Sequence, residues 1–429
     1  MLKKIIISVC SFLLMLSVTA QENPAWEKVF SRINTEVQKN SQAYSTLQQA
    51  SATIGHRLTG SENGKKAEEY AFNLLKGYGF KDVRYQPFEV ESWRRGQLRV
   101  QVGSSATRLH EIKSVSLAHS PVKADLTATV LDMGNGLEAD YQARPNAVTG
   151  KIALVYLGVL PGSAPGTGTL HRSEKTALAT KYGASGIIII NTVAGGTLLT
   201  GTASVTGKLI PIPAVCIGKE DGMDLKKQLQ SGPLISTINM TNFSGLIKAH
   251  NVIATLPGKS LAHEKIVVGG HLDTWDLATG AIDNGIGSFS VIDMARTFKV
   301  LGLQPKRTVE FILFMGEEEG LLGSKAYVAE ASKNKTINQV AFMLNYDMTN
   351  DPKGYSATDG ACKPLFQVIG ALASKLDTTF RNSFNSGPVC TAITSLLCCT
   401  ECLPVVRLAA TYLIMAANAT MPIAILLTW

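Results

Sequence analysis

The sequence predicts a mixed, largely parallel α/β sheet flanked by helices, with a small β-rich α/β domain inserted into it. Three observations carry that expectation. After Gly245, short apolar runs alternate strictly with helical stretches. Between about Ser114 and Asn242 the texture changes to short β-rich runs separated by Gly/Ser/Thr/Pro stretches. The 429 residues are 45% hydrophobic and 17% charged, which excludes a mainly disordered or collagen-like chain. The expected organisation is a leader at 1–20, a main domain in two parts at 21–113 and 244–385, an insert at 114–243 and a distinct tail at 386–429.

At the amino end, Lys3 and Lys4 precede an uncharged apolar run from Ile5 to Val18, followed by Val18-Thr19-Ala20 and polar residues. This reads as a signal peptide cleaved after Ala20, so the mature protein is expected to be exported. The run is short for a membrane span of about 20 residues; an uncleaved anchor is the rival reading. Between Gln21 and Lys353 the single cysteine is Cys216, so the body is expected to rest on a packed core and not on crosslinks.

Residues 61–78 read as an amphipathic helix. Ser61 is a plausible N-cap, and Ala67, Tyr70, Ala71, Leu74, Leu75 and Tyr78 share one face. An extended segment comes next, from Val83 to Val102, with the alternation typical of strands. In the insert, KIALVYLG, GIIIIN and IPAVCIG read as strands, and Ser173–Tyr182 and Glu220–Leu229 as short helices. Beyond it, Lys265–Gly270, Val309–Met315 and Val340–Tyr346 read as buried parallel strands. Ser288–Leu301 and Gly320–Ala331 read as the helices between them, a strand–helix alternation that implies an α/β sheet.

The residues at the carboxyl ends of these strands suggest chemistry. The first strand ends at His271, the second at Gly316-Glu317-Glu318-Glu319 and the third at Asp347; Asp283-Asn284 lies between the first two, before a helix. In open α/β sheets, ligands bind beyond the carboxyl ends of the strands. One His and at least three carboxylates there suit zinc or a similar divalent ion. Singly, each has a bland explanation: a hydrogen-bonded His, a solvated EEE face, an Asp that caps a turn. Three consecutive strands delivering ligand-type residues at one end make a coincidence a poor account.

The motifs His271-Leu272-Asp273, Asp283-Asn284, Glu317-Glu318-Glu319-Gly320-Leu321-Leu322-Gly323-Ser324 and Asn345-Tyr346-Asp347-Met348 resemble those of the co-catalytic zinc exopeptidases, which include bacterial leucyl aminopeptidases and carboxypeptidase Q. The twelve-residue step from His271 to Asp283 is closest to the carboxypeptidase Q branch. The resemblance implies a zinc-exopeptidase fold, a peptide substrate and two zinc ions. His271 and Asp347 would bind one ion, Glu318 the other, and Asp283 would bridge them. Glu317 would be the general base, and Asp273 would orient His271. The adjacent Glu317 and Glu318 can take different roles if the chain turns sharply there, which Gly316 and Gly320 permit. The insert resembles a protease-associated domain at Gly150–Val155, at Glu174-Lys175 with Gly183–Ile188, and at Pro211–Val215; covering the cleft and passive insertion are both open for it.

The family supplies a further His ligand downstream, yet all seven His here lie at or before 271, so the second metal site is expected to be weakened. After Arg381 the charged residues are Glu401 and Arg407 alone, and four cysteines (Cys390, Cys398, Cys399, Cys402) gather there. A membrane anchor at Leu408–Trp429, a cysteine metal site at 398–402 and a shifted reading frame are open for this tail. The frame shift accounts for the loss of charge, the cysteine cluster and the abrupt end together. Membrane contact is expected only if the tail is an anchor.

The +8 formal charge is scattered, so nucleic acid is not expected as a partner. Arg94-Arg95 beside Trp93 reads as a solvated loop, and Asn239, Asn242 and Asn334 match a glycosylation pattern. Oligomeric state, and the choice between free amine and free carboxylate, are not legible. The rival functions are a peptide-binding protein without turnover, holding one metal or none, and a single-zinc glutaminyl cyclase.

Overall fold

The structure, a computed structural model, describes residues 24–348, 353–357 and 360–386. The expected leader, and all of the expected tail but Ser386, lie outside these residues. Among the described residues no helix is long and apolar enough to cross a membrane.

The described residues begin with three helices: α1 (Pro24–Asn40), α2 (Ala43–Thr53) and α3 (Glu62–Gly77). The expected cap is present, since the Ser61 side chain accepts from the Gly64 N–H. Ala67, Ala71 and Leu75 of its apolar face are buried in the main core. Then come β1 (Asp82–Gly103), β2 (Leu109–Glu111), β3 (Ser114–Ser116), β4 (Lys123–Asp132), α4 (Glu138–Gln142), β5 (Ile152–Tyr156), α5 (Arg172–Lys181), β6 (Gly186–Ile190), β7 (Ala214–Ile217) and α6 (Lys219–Ser231). The chain continues with β8 (Leu234–Leu256), β9 (Leu261–His271), α7 (Ile286–Val300), β10 (Arg307–Phe314), α8 (Leu322–Lys333), β11 (Val340–Asn345), β12 (Gly354–Ala357), α9 (Lys363–Leu376) and β13 (Ser383–Ser386).

The long strands β1 and β8 pair antiparallel almost end to end. The other edge of β8 is divided. Its first half pairs with β4 and leads to the parallel set β4-β5-β6-β7, closed by antiparallel β3. Its second half pairs antiparallel with β10, and β10-β9-β11 are parallel. One sheet thus runs through both regions, and the boundary expected at 243/244 falls inside β8.

Alternation sets the layers. On one face Val252, Ala254, Ile266 and Val268 pack with α1–α3, α7 and α9; on the other, Ile253, Val267 and Ile312 pack with Tyr327 and Ala331 of α8. The insert repeats the scheme. Ile152 and Leu154 face Leu225 of α6, while Ala153 and Val155 face Tyr141 of α4 and Ala179 of α5.

Candidate active site

Three strand ends converge as the sequence suggests. His271 is the last residue of β9 and is buried; Asp347 lies two residues past β11; Asp283 lies in the turn before α7. The His271 Nε2 is 3.1 Å from Asp283 Oδ1, 3.5 Å from Asp347 Oδ1 and 4.0 Å from Glu317 Oε2. His271, Asp283 and Asp347 offer ligand atoms within 4.8 Å of one another, the donor set of a divalent-ion site. The residues present therefore fit one ion. Glu318 stands outside this trio, though its charge interacts with Asp283.

Asn284 joins two of these segments. Its Nδ2 donates to the Tyr346 carbonyl, and its Oδ1 accepts from the Gly287 and Met348 N–H groups. The Asp283–Asn284 peptide is cis. Gly287 permits the close approach, because a methyl there would fall 2.4 Å from the Tyr346 carbonyl oxygen. The Glu317–Glu319 turn has the flanking glycines it was expected to need: Gly316 at φ +72 and Gly320 at φ +118.

Asp273 is fully buried two residues past His271, but the expected orienting bond differs in detail. The His271 Nδ1 contacts the main-chain carbonyl of Asp273 at 3.1 Å, with the carboxylate at 3.4 Å. The Asp273 carboxylate instead accepts the Glu318 N–H at 3.2 Å through Oδ2. It thereby ties the glutamate turn to the histidine loop.

The electrostatics are those of a crowded acidic site. Burial, reinforced by Asp273, Asp347 and Asp283 and opposed by His271, pushes Glu317 up to about 7. Burial also raises Glu318 and Glu319 well above the carboxylate range. Burial alone would lower His271, but Glu317, Asp273, Asp283 and Asp347 outweigh it and hold the imidazole well above its ordinary value. Burial would raise Asp283, yet His271, Arg172 and Arg57 hold it below its ordinary value.

Three arginines were not legible as site residues. Arg57, fully buried, donates to the carbonyls of Leu272, Thr279 and Gly280 at 2.6–2.9 Å and pins the loop between His271 and Asp283. Arg95 corrects the solvated-loop reading. It lies in β1 next to buried Trp93, pairs bidentately with Asp276 at 2.7 and 2.9 Å, and bonds the Ser116 carbonyl and the Thr200 hydroxyl. It thus clamps an insert loop to the His271 loop. Arg172 comes from the insert, and its charge interacts with Glu318, Glu317 and Asp283. Of the glycosylation matches, Asn239 and Asn334 are exposed, but Asn242 is buried with its amide donated to the Pro121 carbonyl.

Known proteins agree with this architecture. Peptidase family M28 matches residues 251–391, and the PA domain matches residues 122–225. Aminopeptidase YwaD of Bacillus subtilis is 32% identical over 72% of this chain and 62% of its own length. Carboxypeptidase Q of Bos taurus is 30% identical over 64% of this chain and 58% of its own. The chain therefore spans about three fifths of these relatives. The solved structure of BSAP, a zinc aminopeptidase from Bacillus subtilis, superposes with a TM-score of 0.64 at 25% identity, over 87% of this chain and 84% of that one. Convergent strand ends in a mixed sheet, an insert sharing that sheet and these matches point the same way: residues 251–391 match peptidase family M28, and residues 122–225 match the PA domain.

Proposed function

We propose that this chain is a zinc-dependent exopeptidase that hydrolyses the terminal bond of short peptides. The observation that carries the reading is the meeting of His271, Asp283 and Asp347 within 4.8 Å, with the Glu317 carboxylate 4.0 Å from His271 Nε2. The trio would hold one ion; Glu318, with Asp283 bridging, would hold a second more weakly, because no His occurs after His271. Bound there, zinc lowers the pKa of a water and polarises the scissile carbonyl. Glu317 takes the water proton and returns it to the leaving amine. Asp273 and Arg57 keep the loops that present these groups in register. The leader at 1–20 supports export of the mature chain.

Zinc titration of the full chain is expected to show one tight and one weaker site, with dipeptide hydrolysis that a chelator abolishes. Glu317→Gln is expected to retain zinc and lose turnover by roughly 10²–10⁴-fold. Zinc-loaded protein that hydrolyses no dipeptide would leave the peptide-binding reading in its place.

A further inference from the structure

Among the described residues, Arg172, the first residue of α5, is a cation without a paired anion, and its Nε is buried with no hydrogen-bond partner. Its guanidinium lies against Gly201: a methyl group there would fall 1.9–2.1 Å from Nη2, Cζ and Nε. Gly201 belongs to the insert loop that closes on the site. One residue before it, the Thr200 hydroxyl bonds Arg95, which pairs with Asp276 of the histidine loop. Further along, a methyl at Gly207 would come within 2.9 Å of the Glu319 carbonyl. The loop thus reaches the glutamate turn, and the charges acting on Arg172 from that side are Glu318, Glu317 and Asp283.

A guanidinium whose Nε is buried without a partner is unfavourable, and the carboxylates whose charge it feels are those that a metal ion and the proton transfer would occupy. A peptide offers the planar, five-donor fork one well-matched group, its terminal carboxylate; it repels a terminal ammonium. We infer that Arg172 is a specificity residue supplied by the insert, binding the free carboxylate of the substrate's last residue beside the scissile bond. This inference rests on the exopeptidase reading and narrows it to carboxypeptidase- or dipeptidase-type substrates.

The test compares alanyl-leucine with alanyl-leucinamide on the zinc-loaded full chain. Wild type is expected to favour the acid in kcat/KM by roughly ten- to a hundredfold, the range of a charge-assisted bond. In Arg172→Gln the acid-to-amide ratio is expected to fall to about one; in Arg172→Lys, which keeps the charge without the fork, it falls between. The Lys variant also carries the comparison if the Gln variant does not fold. An unchanged ratio in either folded variant, or a wild type that prefers the amide, overturns the assignment. If neither compound is hydrolysed, the exopeptidase reading fails. Calorimetric binding of the same two compounds then decides the Arg172 assignment: tighter binding of the acid that Arg172→Gln removes upholds it, and equal binding overturns it.

Discussion

Arg57 shows how single residues hold this site. Its guanidinium is fully buried and spends its donors on the carbonyls of Leu272, Thr279 and Gly280, while its backbone N–H donates to Thr274. Its charge is balanced at longer range by Asp273, Glu318 and Asp283. Arg57→Met would take the side-chain donor from the Leu272, Thr279 and Gly280 carbonyls, of which Gly280 keeps the Gly285 N–H, and would leave an acidic cluster without its counter-charge. It is expected to cost roughly 2–4 kcal/mol in chemical denaturation of the metal-free protein and to weaken zinc binding in parallel. A loss below about 1 kcal/mol would contradict the assigned role. His271 and Asp347 were legible because strand ends mark themselves in sequence, where an apolar run stops at a ligand-type residue; Asp283 was legible as the Asp-Asn step before a helix. Arg57, Arg95 and Arg172 were not. The partners of Arg57 and Arg95 lie 21 to 223 positions away, several of them main-chain carbonyls, and such contacts leave no local pattern.

At the scale of elements, the β-strands and helices of both regions track their apolar periodicity closely, but the ribbon that unites them was hidden. The middle of β8, from Phe243 to Lys248, is largely exposed and carries the boundary expected at 243/244, yet it pairs with Glu89–Arg94 throughout. Only a long-range register between β1 and β8 makes it a strand. That continuity places Arg95 where it clamps the insert loop to Asp276. Arg95→Met is expected to leave the ribbon paired and to release the clamp. Hydrogen exchange should then speed up across 195–207 and 272–276 while the protection of β5 and β6 stays unchanged. Adding Asp276→Asn should have little further effect, since the two side chains act as one pair. Equal loosening of the whole insert would mean that Arg95 serves the ribbon and not the loop.

For the molecule as a whole, this arrangement makes the insert's stability a determinant of the site's shape, and His119 is the point at which acid enters. Ala118 and His119 hold the covering loop by main-chain bonds to Gly201, Ala203 and Ile210. The His119 Nδ1 meets the Thr202 hydroxyl at 2.8 Å, and its Nε2 is buried without a partner. Burial pushes the imidazole down to about 4, only partly opposed by Glu91. In the unfolded chain it titrates near 6.5, so between about 6.5 and 4 the unfolded state binds the proton and the folded state does not. Its contribution is therefore complete above about 6.5 and is lost as pH falls towards 4, by roughly 2–3 kcal/mol over the window. His171, the cap of α5, is also pushed down to about 4, chiefly by desolvation of its ring, and acts in the same direction. His119 sits at φ +66, which asparagine tolerates, so His119→Asn removes the titration with little backbone strain. Denaturation of wild type and His119→Asn at pH 7.5 and 4.5 isolates the effect, because the acidic site is common to both proteins and cancels in the difference. Wild type should lose more stability on acidification than the variant; equal losses would show that His119 is not where acid loosens the loop holding Gly201 against Arg172.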